Sequence, residues 1–319
     1  MLTKSNLLVK IILFGIIIPI LFSEIVLADN KQKIILDCDL GDDIDDAFAV
    51  ALVLASPEFD VLGLVMEYGN TPKRAQIACR LLYETGKEDI PVVVGRKTHD
   101  QYSSQFYWAE GFSKIKPLDI SAADFIIKNL SMYPSEVVLF TVGPVSNMKD
   151  ILAKDPDALK LAKHVYSMFG SFYMGYNTGP VPDAEWNARC DVEASKAFVS
   201  SGAKITYVPL DITTFVKLEA DKRLKLTMRN SPLTNALSGL YTLWGHETPT
   251  LYDVVAIGIF LWPDLFTTRQ AYVEVIGGGY TVIDENKDPN SEIGMTIRKE
   301  EFIERIMQRY LYQNLSSKE

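Results

Sequence analysis

The chain has 319 residues, 48% hydrophobic and 23% charged, a balance that belongs to a folded protein and excludes a disordered one. Its net charge of −9 is carried with Lys and Arg scattered along the chain, which argues against a nucleic-acid polymer as partner. Three widely spaced cysteines make neither a disulfide framework nor a zinc signature.

Lys4 and Lys10 precede an apolar run from Ile11 to Phe22, and Val26-Leu27-Ala28 follows as a cleavage region. This pattern predicts a secretory signal over residues 1–28 and an exported protein, periplasmic or secreted. The run is short for a membrane span, so no stable membrane insertion is expected after cleavage. Residues 29–319 are then one domain, large enough to bury roughly three quarters of its unfolded surface. A metal would be there for chemistry rather than as a staple.

Beyond the leader, short apolar runs alternate with segments of helical spacing. Strands are predicted at 34–36, 59–66, 91–94, 137–141, 165–168 and 205–209. Helices are predicted at 47–55, 72–84, 121–130, 145–153 and 191–201, then at 233–243, 254–260 and 299–311. A hairpin is expected over 271–276 and 280–283, around Gly277-Gly278-Gly279. Alternation of this kind predicts an α/β fold, a mostly parallel doubly wound Rossmann-like sheet flanked by helices, in one domain. Ligands of such sheets bind at the carboxyl ends of the strands.

Six aspartates fall within ten residues at one such strand end: Asp37, Asp39, Asp42, Asp43, Asp45 and Asp46. Like charges crowded into a crevice cost several kcal/mol each unless a cation compensates or some carboxyls stay protonated. Carboxylate-only ligands suit Ca²⁺ or Mg²⁺. An EF-hand is excluded, because its sixth and twelfth loop positions, counted from Asp37, are Asp42 and Phe48.

The segment resembles the opening motif of the nucleoside hydrolases, the inosine–uridine-preferring N-ribohydrolases, in a longer-loop form, D-x-D-x-G-x-D-x-D-D. Further pieces follow in order: Tyr68-Gly69-Asn70, Thr141-Val142-Gly143-Pro144, Met168, Ala184-Glu185-Trp186-Asn187 with Asp191-Val192-Glu193-Ala194, and Tyr252-Asp253. The resemblance implies Ca²⁺-dependent hydrolysis of the N-glycosidic bond of a nucleoside, and a possible homodimer or homotetramer. Residue by residue, it implies Ca²⁺ on Asp39, Asp46, the Val142 carbonyl and Asp253, with Asp39 the general base on a metal-polarised water. It implies that Asp45, Asn70, Met168, Glu185 and Asn187 line the ribose.

Tyr252 stands where the family has a histidine that protonates the leaving group, and His246 is a nearby substitute. Phe106, Tyr107, Trp108, Phe172, Tyr173 and Tyr176 are aromatic candidates for stacking on a base. Two other readings stay open: hydrolysis of a different ribosyl conjugate, and a non-catalytic binder of Ca²⁺ and a ribosyl ligand.

Overall fold

A computed structural model of the chain describes residues 31–318. The export segment expected over residues 1–28 lies outside them. Strand β1 (Gln32–Cys38) occupies the middle of the sheet, and its apolar residues Ile34, Ile35 and Leu36 are buried on both faces. β2 (Phe59–Met66) and β3 (Val92–Val94) extend the sheet to one side. β4 (Val138–Thr141), β5 (His164–Met168) and β6 (Ile205–Val208) extend it to the other. All these neighbours pair in parallel.

The strand order across the six is β3-β2-β1-β4-β5-β6, so the winding reverses between β1 and β4. Crossovers on opposite sides of that point leave a crevice at the carboxyl ends of the two strands. Asp39 follows β1 there, and Val142 follows β4.

Helices cover both faces, as a parallel sheet requires. On one face lie α1 (Asp45–Leu54), α2 (Thr71–Glu84), α9 (Pro232–Trp244), α10 (Tyr252–Leu261) and α11 (Lys299–Tyr312). The other carries α3 (Ala122–Met132), α4 (Ser146–Lys154) and α6 (Val192–Val199). α1 is buried at every position, which explains its apolar sequence on all sides.

The far edge of the sheet holds β7 (Phe266–Ala271) and β10 (Ser291–Ile297). β10 runs parallel to β6 and antiparallel to β7, so the sheet is mixed at this margin. The expected hairpin is present as β8 (Val273–Ile276) and β9 (Tyr280–Ile283), paired antiparallel in a small sheet of their own. Periodicity did not indicate β7 or β10, whose half-exposed residues mix Thr, Arg, Gln, Glu and Gly with few apolar positions. It also passed over α8 (Ala220–Arg229), which buries only Leu226, and the short α5 (Trp186–Cys190) and α7 (Leu210–Thr213).

Candidate active site

The six aspartates separate by strand geometry. Asp37 is still within β1, is fully buried, and accepts a hydrogen bond from Asn147 Nδ2 at 2.7 Å on its Oδ1. The other five line a cavity of about 380 Å³ at the switch point, together with Val142 and Asp253. Asp39 is packed against the turn after β4. A Cβ on Gly143 would lie 2.5 Å from Asp39 Oδ1. Only glycine lets that backbone approach so closely.

Asp45 and Asp46 form the first turn of α1, and Asp253 lies in the first turn of α10. Both helix N-termini therefore face the cavity with their unsatisfied amide groups. The Asp253 amide donates to Asp45 Oδ2 at 3.1 Å. A helix dipole offsets only about 0.3–1 kcal/mol of a carboxylate's cost, whereas burying each charge costs several. Burial accordingly pushes Asp45, Asp46 and Asp253 well above the ordinary carboxylate range, and their mutual repulsion adds to it. Asp39 rises to about 7 by burial, opposed by the nearby Arg74 guanidinium.

These residues fit a hard divalent cation. Carboxylate oxygens of Asp45, Asp46 and Asp253 lie within 4.8 Å of one another, and Asp46 Oδ1 is buried without a hydrogen-bond partner. Oxygen-only donors in a cavity of this charge match calcium or magnesium rather than zinc. Asp45, expected beside the ribose, thus joins the tightest carboxylate group, while Asp39 stands on the adjoining wall.

Met168, Glu185 and Asn187 line the same cavity. Asn187 Nδ2 donates to the carbonyl oxygens of Val142 at 2.9 Å and Met168 at 3.0 Å, tying the ends of β4 and β5 together. Glu185 caps α5 by accepting from the amides of Asn187 at 2.8 Å and Ala188 at 3.1 Å, and it also accepts from Gly170 N. Burial raises its carboxyl to about 7 despite these donors. Asn70 is separate from the cavity wall. It caps α2 and donates from Nδ2 to the Asp100 carbonyl at 2.7 Å.

Tyr252 closes the cavity opposite these groups, with Tyr176 edge-on to it at 6.1 Å between ring centroids. The Tyr176 hydroxyl accepts from Trp186 N at 2.8 Å and donates to Glu185 Oε1 at 3.4 Å. Asp42, Asp43 and Tyr252 also line an adjoining cavity of about 490 Å³ together with Trp244, which hydrogen-bonds Asp43, and the exposed His246. Of the aromatic candidates, Tyr176 alone lines the acidic cavity. Phe106 and Phe172 are buried in the core, Trp108 stacks with Arg80, and Tyr173 faces Arg269. Two residues that sequence did not single out stand out here. Trp186, 42% exposed, forms part of the cavity wall, and Arg74 pairs with Asp42 at 2.6 Å.

A sequence model described as the inosine-uridine preferring nucleoside hydrolase matches residues 34–304. Uridine nucleosidase 1 of Arabidopsis thaliana is 29% identical over 282 residues, covering 80% of this chain and 83% of the relative. A pyrimidine-specific ribonucleoside hydrolase of Citrobacter koseri is 27% identical, covering 88% of this chain and 98% of its own. Among solved structures, a plant nucleoside hydrolase superposes with a TM-score of 0.79 at 26% identity, over 88% of this chain and 99% of its own.

Proposed function

Given that the chain belongs to the family of inosine-uridine preferring nucleoside hydrolases, we propose that it hydrolyses the N-glycosidic bond of ribonucleosides to ribose and free base, with Ca²⁺ as cofactor. The convergence of Asp39, Asp45, Asp46 and Asp253 on one cavity carries this reading. Asp39, Asp46, the Val142 carbonyl and Asp253 would hold the cation. A cation held there would supply Lewis acidity to the attacking water and oxygen-ligand positions for the ribose hydroxyls.

Asp39 takes the proton of that water on its carboxylate. The C1′–N bond breaks with its electron pair leaving on the base, positive charge develops on the sugar ring, the water oxygen bonds to C1′, and the departing base takes up a proton from solvent. The surrounding carboxylates stabilise that charge because they are fixed before the reaction begins. Asp45, Asn70, Met168, Glu185 and Asn187 line the ribose, Asn70 by a side-chain movement out of its helix cap. Tyr252 faces the leaving group. Burial pushes its phenol to about 12, so at neutral pH it acts as a hydrogen-bond donor rather than a strong acid.

Tyr252 and the neighbouring Trp244–His246 cavity also support a second reading, in which the leaving group is not a nucleobase but another ribosyl substituent. The amino-terminal pattern of residues 1–28 supports action outside the cytoplasm. The experiment is to supply uridine, cytidine, inosine, adenosine and guanosine to the protein with Ca²⁺ and to follow free base. Release by the native chain and a loss of about 10²–10⁴-fold in Asp39→Asn are expected. Release from none of the five, with Ca²⁺ still bound, would contradict the nucleoside reading.

A further inference from the structure

The acidic turn between β1 and α1 is braced from below by a side chain of α2. Arg74 is 5% exposed, and its guanidinium donates to four groups and pairs with a fifth. Nε donates to the Tyr68 carbonyl at 2.7 Å, and Nη1 donates to the carbonyls of Asp39 and Leu40. Nη2 donates to Asp42 Oδ2 at 2.6 Å and lies 3.9 Å from Asp39 Oδ2. A Cβ on Gly69 would lie 2.8 Å from Nη2, so the adjacent backbone leaves room for this fork. Among the described residues, both ion pairs made by the acidic turn are made by Arg74.

We propose that Arg74 is a positioning residue for the hydrolysis proposed above: a strut that sets the Asp39 backbone and carboxylate toward the cation and substrate, and a fixed counter-charge for the lengthened turn. The inference rests on that functional reading for its catalytic part.

The turn from Leu40 to Asp43 has no regular structure of its own, and its carbonyls must be satisfied from elsewhere. Ser103 Oγ donates to the Gly41 carbonyl, and Gln105 Nε2 donates to those of Asp42 and Asp43. Arg74 takes the Asp39 and Leu40 carbonyls, the two nearest the metal-facing carboxylate. A planar guanidinium can span carbonyls on residues 39, 40 and 68 while pairing with a carboxylate. A lysine ammonium, with all its donors on one nitrogen, cannot. Partners of this kind, one step behind the groups that touch a metal, orient them without touching the metal themselves.

Arg74→Lys tests the strut at constant charge. Ca²⁺ alone is titrated into the native and variant chains by calorimetry, and base release is measured at saturating Ca²⁺. The expected result is an affinity for Ca²⁺ about 10–100-fold weaker and a comparable fall in kcat, with KM nearly unchanged and the far-ultraviolet circular dichroism preserved. In Arg74→Ala, added guanidinium ion is expected to restore part of both losses, which a purely structural role would not allow. Native Ca²⁺ affinity and native kcat in Arg74→Lys, whatever its melting temperature, would overturn the proposal. So would an Arg74→Ala chain, folded but impaired, that guanidinium fails to rescue. Should the native chain release no base from any nucleoside, the hydrolase reading fails by itself, and the calcium titration still decides the role of Arg74.

Discussion

The amide of Asp253 donates to the carboxylate of Asp45, 208 residues away in sequence, across 3.1 Å, joining the first turns of two helices. Both helices begin at the same cavity, so three buried carboxylates meet at two helix N-termini. The helix dipoles are too weak to hold that charge alone. The donor set suits a bound divalent cation as the counter-charge.

Asp253→Asn removes one buried negative charge while keeping the shape of the side chain. The metal-free protein should then be as stable as the native chain or more stable, by about 1–3 kcal/mol at pH 8. The rise in melting temperature that Ca²⁺ gives the native protein should disappear. Thermal melts with chelator and with excess Ca²⁺ measure both effects.

Stability of the chelated protein should fall as pH rises. Burial lifts Asp37 to about 8 and Asp39 to about 7, from an ordinary value of 3.8. The folded chain therefore binds more protons than the unfolded one across that interval, and unfolding becomes easier as those protons leave. The contribution is complete below about pH 4 and gone above about pH 8. Denaturant midpoints from pH 5 to 8 check the slope. With Ca²⁺ present the trend should flatten or reverse, because the cation binds the ionised form and its affinity rises with pH.

Gly143→Ala places a methyl group 2.5 Å from Asp39 Oδ1. One of the two must move. Displacement of a reacting group by about 1 Å costs on the order of 10²-fold in rate, so kcat should fall by that order while the chain remains folded. Steady-state kinetics at saturating Ca²⁺, with circular dichroism as control, measure it.

Tyr252→Phe removes only a hydroxyl. A hydrogen bond to the leaving group helps most when that group is poor, so the variant should lose more activity on a nucleoside than on a ribosyl nitrophenyl ether. Equal losses on the two substrates would place Tyr252 in packing rather than in chemistry. Because its phenol titrates near 12, no activity loss from its ionisation is expected below about pH 10.

Much of this architecture was legible in the residues. Central strands such as β1 and β4 are short, carry an apolar run at their centre and are followed by acidic or Gly-Pro turns, so period and punctuation agree. The ordered motifs located the floor of the cavity because strand ends and helix starts of a parallel sheet have fixed places. What escaped depends on contacts between distant segments. β10 gains its place by pairing with β6 and β7, and little in its own half-polar sequence demands a strand. Asn70 carries an asparagine's chemistry, yet here its amide is spent on capping α2 and on Asp100. Arg74 reads as one more charged residue on a helix until the fold brings its guanidinium under Asp39 and Asp42.

A cation held by these carboxylates is proposed to enable hydrolysis of a ribonucleoside. The most direct measurement is base release from uridine by protein stripped with a chelator and then titrated with Ca²⁺. No release is expected from the stripped protein, with recovery that saturates at one Ca²⁺ per chain. Undiminished release by the stripped protein, or none at any Ca²⁺ concentration with uridine and the other four nucleosides, would contradict it.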